Sequence, residues 1–146
     1  MKKIFSLMLT FVLLISLFST FVSAAEVEPD VPPIETEEYA YLSNCWAGLN
    51  HVGGGKYNIT GGAGSVLANV TLSVTVILQK FNPKSPTCWD DLGTWTDTAQ
   101  YSASAGGSRY ILTSGTYRTH VIADVYSENG TLIESETANS DHLVIP

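Results

Sequence analysis

The residues best suited to chemistry in this chain form a short acidic segment next to a tryptophan. Trp89, Asp90 and Asp91 are consecutive, and Asp97 follows in the same segment. Two carboxylates held roughly 5 to 10 Å apart across a cleft can hydrolyse a glycosidic bond, so the segment permits a small glycan-active hydrolase. A loop of solvated acids is the simpler interpretation, and the segment does not match a twelve-residue calcium loop.

Histidine is the ordinary base for nucleophilic catalysis. The chain has three, His51, His120 and His142, and none lies in a catalytic motif that we can identify. The glycine-rich residues 61–64 follow a short polar segment with no helix after it, which predicts a turn and not a phosphate-binding loop. We therefore predict no catalytic residue, no cofactor and no metal site.

Aromatic side chains give the better binding hypothesis, since aromatic faces beside acids or amides can hold sugars by stacking and a few hydrogen bonds. The aromatic residues in question are Trp46, Trp89, Trp95, Tyr57, Tyr101 and Tyr126. Trp95 lies centrally in a predicted strand, which favours the core. Trp89 lies in a Pro-rich loop, so we predict a binding site of Trp89, Asp90, Asp91 and Tyr57.

The two cysteines, Cys45 and Cys88, form an even pair, which in an exported chain predicts a disulfide. Closing this loop of about 43 residues would stabilise the fold by roughly 3 to 4 kcal/mol. The bond forms only if a core-facing strand and a surface loop bring the two Cα atoms within about 7 Å. Two cysteines this far apart in sequence do not predict a metal site.

Turn residues, among them the glycine-rich residues 61–64 and 106–108, divide the chain from Tyr39 onward into strand-sized segments. Apolar and hydroxyl side chains alternate over residues 70–81, and Asn129-Gly130 predicts an antiparallel hairpin over residues 117–137. Weaker strands are predicted at 44–52, 56–60, 93–102, 108–113 and 143–145. Seven or eight strands in a domain of about 108 residues predict an antiparallel β-sandwich, with a small β-barrel as the alternative.

The amino-terminal segment predicts export. Lys2 and Lys3 precede an apolar stretch and the small residues 22–24, the pattern of a signal peptide cleaved after Ala24. An uncleaved membrane anchor is the alternative, because the uncharged stretch is about the 20 residues that span a bilayer. Residues 25–38 hold six acids and three prolines, which predicts a disordered spacer or else an acidic tail that captures a basic partner or metal ions. The predicted organisation is therefore 1–24, 25–38 and a folded domain 39–146.

The charge balance argues against nucleic acid as a partner. The chain carries 14 acidic and seven basic residues, and two of the basic residues lie in the predicted signal peptide. The other five are scattered among carboxylates and do not form the clusters that a phosphate backbone requires.

Residues 112–121, LTSGTYRTHV, resemble the tyrosine corner and following strand of fibronectin type III and immunoglobulin-like domains. The resemblance implies that the Tyr117 hydroxyl bonds to backbone a few residues upstream, which is a structural role. The signal peptide, the early glycine-broken hairpin and the long Val/Thr strand also resemble small exported proteins of Gram-positive bacteria, whose function is unknown. This likeness carries no catalytic motif.

Together these patterns predict a secreted, extracellular, non-enzymatic monomer that binds an extracellular protein or a glycan through loops such as residues 83–92. No membrane partner is expected after signal cleavage. Two other classes remain open: a small secreted hydrolase that uses Asp90, Asp91 and Asp97, and a secreted bacteriocin-like effector.

Overall fold

The computed structural model describes residues 41–146, which fold into eight β-strands without a helix. The strands are β1 (Leu42–Gly53), β2 (Lys56–Ser65), β3 (Thr71–Phe81), β4 (Trp89–Ala99), β5 (Ser102–Tyr110), β6 (Gly115–Tyr126), β7 (Leu132–Asn139) and β8 (Leu143–Ile145). The predicted signal peptide and spacer, residues 1–24 and 25–38, lie outside the described residues.

The strands form two antiparallel sheets, which confirms the predicted sandwich with eight strands. The three-stranded sheet has the order β1-β2-β5, and the five-stranded sheet has the order β4-β3-β6-β7. The short strand β8 pairs with the beginning of β6, next to the part of β6 that pairs with β7. Because the strands divide between two sheets, the alternative of a closed barrel does not apply.

Alternate side chains of the central strands fill the space between the sheets. The fully buried side chains come mainly from β3 and β6, with Ile59 from β2 opposite them: Leu72, Val74, Val76, Leu78, Tyr117, Val121, Ala123 and Val125. Burying one valine or leucine side chain contributes about 1.5 to 3 kcal/mol. This core fixes the outward-facing residues of each strand, including those of the site described below.

Two glycine-rich segments that predict turns lie instead inside strands. Residues 61–64 belong to β2, and residues 106–108 belong to β5. A Cβ atom on Gly62 would lie 2.9 Å from the Trp46 indole, and one on Gly107 would lie 2.5 Å from the Trp95 indole nitrogen. These glycines leave room for aromatic rings to cross the strands, which is a known use of glycine in strand interiors.

Two strand boundaries also differ from the prediction. The strand predicted at 93–102 is β4 and begins at Trp89, and the one predicted at 108–113 is β5 and ends at Tyr110. Trp89 is therefore the first residue of a strand and not part of the preceding loop, which covers residues 82–88.

Tyr117 makes the hydrogen bond that a tyrosine corner requires. Its ring is fully buried, and its hydroxyl donates to the Thr113 carbonyl oxygen at 2.9 Å. The same hydroxyl lies 2.7 Å from Thr113 Oγ1. These contacts connect the segment before β6, at Thr113, to the beginning of β6, at Tyr117.

Replacing Tyr117 by phenylalanine is expected to lower the free energy of unfolding by about 1 to 2 kcal/mol, because the buried ring loses its hydroxyl partners. Chemical denaturation measures the change. Tyr110→Phe is the matched control, since Tyr110 is 64% exposed and its substitution should have no measurable effect. Equal stability of the Tyr117→Phe variant and the native protein would contradict the structural role of this hydroxyl.

Candidate functional site

A cleft of about 550 Å³ crosses the edge strand β5. Trp46 and Thr60 line it from β1 and β2, and Trp95, Thr96 and Asp97 line it from β4 of the other sheet, with Ser104, Ala105 and Gly106 of β5 between them. We call it the Trp46 cleft. Its volume is in the range of small-molecule sites, and it combines apolar rings with a few polar groups, as such sites do.

Trp46 is placed on the outer face of the three-stranded sheet by the alternation of β1. Its neighbours Cys45 and Ala47 pack against the core, so Trp46 points the other way. Trp46 is paired with Gly62 on β2, and the indole lies across this glycine. The Trp46 side chain is 45% exposed, so part of it contacts the sheet while the rest remains open to a ligand.

Asp97 supplies the charge of the cleft. Its Oδ2 accepts a hydrogen bond from the Ser104 backbone N–H at 3.1 Å, which satisfies one backbone donor of the edge strand β5. Among residues 41–146, Asp97 Oδ1 and the hydroxyls of Thr60 and Thr96 have no hydrogen-bond partner. One carboxylate oxygen and two hydroxyls are thus available to a ligand beside two indoles.

Trp89 lies elsewhere, on the outer face of the five-stranded sheet. The Arg118 guanidinium carbon is 4.0 Å from the centre of its ring, and Phe81 and His142 contact the ring at 5.5 and 5.3 Å between centroids. Asp91 is close by, because Gln79 connects it to Arg118. The stacked guanidinium covers Trp89, whereas no side chain stacks on Trp46 in this way among the described residues.

The structure does not bring the other two predicted site residues to Trp89. Asp90 Oδ2 accepts a hydrogen bond from the Asn82 amide at 2.7 Å. In the register of β3 and β4, Asp90 lies opposite Lys80, whereas Asp91 lies opposite Gln79. Tyr57 is only 8% exposed and belongs to the core on the other sheet, with its ring 4.8 Å from that of His51.

The predicted Cys45–Cys88 disulfide is wrong, since both cysteines are free. In the three-stranded sheet, Cys45 of β1 lies opposite Ala63 of β2, which lies opposite Ala103 of β5. Ala103 is at the start of β5, just after β4 ends at Ala99, so Cys45 lies near that end of β4. Cys88 precedes the start of β4, and the eleven residues of this strand span roughly 35 Å. The two sulfurs therefore lie towards opposite ends of the sandwich, well beyond the limit of about 7 Å between Cα atoms.

The two thiols should differ in reactivity without any reducing agent. Burial raises the pKa of Cys45, and the nearby Glu136 carboxylate raises it further, so less of the reactive thiolate is present near neutral pH. We expect a maleimide to modify the exposed Cys88 first and Cys45 slowly, with the second rate rising as the pH is raised. Mass spectrometry of the labelled protein measures this. Labelling that needs a reducing agent would show a disulfide and contradict the structure.

No protein-family model and no curated protein matches the chain. Among residues 41–146, no three side chains of His, Cys, Asp or Glu are grouped so that they could hold a metal ion. The same part of the chain has no helix long and apolar enough to cross a membrane. The geometry of the Trp46 cleft is therefore the basis on which we infer a function.

Proposed function

We propose that the protein is a non-catalytic carbohydrate-binding module whose site is the Trp46 cleft. The observation that carries the proposal is the indole of Trp46, which lies across Gly62 and is 45% exposed beside the Asp97 carboxylate. A pyranose ring stacks its apolar C–H face on such an indole. Its hydroxyls would donate to Asp97 Oδ1 and exchange hydrogen bonds with Thr60 and Thr96.

Binding is favoured over hydrolysis by the carboxylates of the cleft. Glycoside hydrolysis ordinarily uses a pair of carboxylates flanking the scissile bond. Of the described residues that line the cleft, Asp97 alone carries a carboxylate. Asp90 and Asp91 are the other two acids of the possible hydrolase site in the sequence. They are hydrogen-bonded to Asn82 and Gln79 instead.

The proposal includes an extracellular location. The signal-peptide pattern of residues 1–24 supports export, so the ligand we propose is a glycan of a cell surface or of the surrounding medium. A rigid sandwich that presents a shallow site near its edge suits a polymer, because a chain can enter and leave along the cleft.

The first test is depletion of the purified protein from solution by insoluble cellulose, chitin, xylan, starch and peptidoglycan. We expect at least one of these to remove the protein. Asp97→Ala should weaken the binding by about tenfold or more, since hydrogen bonds to a charged group contribute about 1.5 to 3 kcal/mol. Asp90→Ala is the matched control, because Asp90 does not line the cleft and binding should be unchanged.

The same incubation tests the enzymatic alternative. The bound polysaccharide should release no new reducing ends above the level of a protein-free sample. Depletion by none of the polymers, or equal depletion of the native protein and the Asp97→Ala variant, would overturn the proposal. Release of reducing ends would replace it with hydrolysis.

A further inference from the structure

Arg118 is held in one position on the outer face of the five-stranded sheet. Its guanidinium carbon lies 4.0 Å from the centre of the Trp89 ring, and its Nε donates to Gln79 Oε1 at 2.8 Å. Gln79 is only 7% exposed, and its amide nitrogen donates to Asp91 Oδ1 at 2.8 Å. The guanidinium is therefore fixed both by an aromatic face and by a buried amide that is itself anchored.

The Trp89 ring, on which Arg118 stacks, is also held in place by its neighbours. Its ring contacts Phe81 edge to face at 5.5 Å and His142 at 5.3 Å. Its carbonyl oxygen accepts hydrogen bonds from the hydroxyls of Ser85 and Thr87, at 3.0 and 2.9 Å. Because Trp89 and Arg118 are already ordered, a ligand that meets Arg118 loses little side-chain entropy on binding.

Most of the donor capacity of Arg118 is unused. A guanidinium has five N–H donors, and Gln79 takes the one on Nε. Among residues 41–146, Arg118 has no other hydrogen-bond partner and no ion-pair partner. The four N–H groups on the two Nη atoms remain, and one from each nitrogen together form the end-on fork of the guanidinium. Burial also lowers the pKa of Arg118, which reflects a partly desolvated cation without a counter-charge in contact.

We propose that Arg118 is a binding site for a single carboxylate group, held end-on by its two Nη groups. The two oxygens of a carboxylate match the spacing of paired guanidinium donors. A carboxylate also suits the local charge better than a phosphate dianion does. The Asp91 carboxylate is connected to Arg118 through Gln79, so a second negative charge on the ligand would be repelled.

This carboxylate site is distinct from the Trp46 cleft, since none of its residues lines that cleft. The carboxylate can belong to a free acid or to an acidic sugar such as a uronic acid. Failure of one proposal leaves the other standing, because the two sites share no residue and can be observed through different tryptophans.

The test is an NMR titration of the ¹⁵N-labelled protein with acetate, glucuronate and methyl phosphate, at constant ionic strength maintained with sodium chloride. The chain has two arginines, Arg109 and Arg118. We expect acetate and glucuronate to shift the Nε–Hε signal of Arg118 and the indole signal of Trp89 to saturation. Arg109, whose guanidinium donates to the Leu92 carbonyl, serves as the internal control and should not shift.

Two variants separate the paired donors from general charge. Arg118→Lys keeps the charge but lacks the fork, and it should bind acetate about tenfold more weakly by the Trp89 signal. Lys84→Gln removes an exposed cation of the loop before β4 and should leave the affinity unchanged. A shift that does not saturate, methyl phosphate binding at least as tightly as acetate, or undiminished affinity in Arg118→Lys would overturn the proposal.

Discussion

Replacing Trp46 by alanine is expected to weaken glycan binding by about 30-fold or more and to leave the fold intact. The substitution removes the stacking face of the cleft, and loss of a central aromatic contact commonly costs 2 kcal/mol or more, which is a drop in affinity of about 30-fold. Its effect on stability should be small, because Trp46 lies on the outer face of the sheet and is 45% exposed. Isothermal titration calorimetry with a soluble oligosaccharide of the bound polymer measures the affinity.

Trp89→Ala is the matched control for Trp46→Ala. Trp89 is also an aromatic residue of a strand, but its ring supports Arg118 and does not line the cleft. We expect native affinity for the glycan in Trp89→Ala. The reverse pattern, with affinity lost in Trp89→Ala and kept in Trp46→Ala, would place the glycan at the site that the sequence alone suggests.

The largest effect on stability is expected from Gly106→Ala. Gly106 has a φ angle of +153°, which side chains rarely adopt. An added Cβ would also collide with the Ile59 carbonyl oxygen and lie 3.0 Å from the Thr60 Cα, both backbone atoms of the neighbouring strand. Since backbone strain and overpacking each cost about 1 to 3 kcal/mol, we expect the free energy of unfolding to fall by roughly 3 kcal/mol or more.

Variants at two other glycines separate the effect of backbone strain on stability from that of overpacking. Gly130 has a φ of +80° and nothing within 4 Å of an added Cβ, so Gly130→Ala isolates the backbone strain. At Gly61, the two atoms nearest to an added Cβ would be methyl groups of Val121 and Val76, with a backbone atom farther away at 3.2 Å, so Gly61→Ala chiefly isolates side-chain packing. Urea denaturation of the three variants should give the largest loss for Gly106→Ala. Unchanged stability of that variant would contradict the register between β2 and β5.

The sequence predicts those strands whose signal is local. In β3, one alternating face is buried and the other carries hydroxyl groups, and the β6–β7 hairpin turns at Asn129-Gly130, where Gly130 has the positive φ that such a turn requires. The glycine-rich parts of β2 and β5 could not be predicted in this way. Their glycines are explained by Trp46 and Trp95, which are distant in sequence and meet them only after the sheets have formed.

The candidate site could likewise be predicted only in part from the sequence. Trp46, Trp95 and Asp97 are recognisable in the sequence as aromatic and acidic residues, but the cleft depends on the pairing of Trp46 with Gly62 and on β4 lying beside β5. The exposure of Trp89 is similarly decided by Arg118, which stacks on it from β6. The cysteine pair predicts a disulfide by number alone, whereas the length of β4 separates the two thiols.

The most direct test of the glycan site uses the three indole N–H signals of the protein. The chain has three tryptophans, two in the cleft and one outside it. On titration with an uncharged oligosaccharide, we predict that the signals of Trp46 and Trp95 shift to saturation with one common dissociation constant, while that of Trp89 stays in place. Saturable shifts confined to Trp89, or no shift at any of the three with a polymer that removes the protein from solution, would contradict the assignment of the site to the Trp46 cleft.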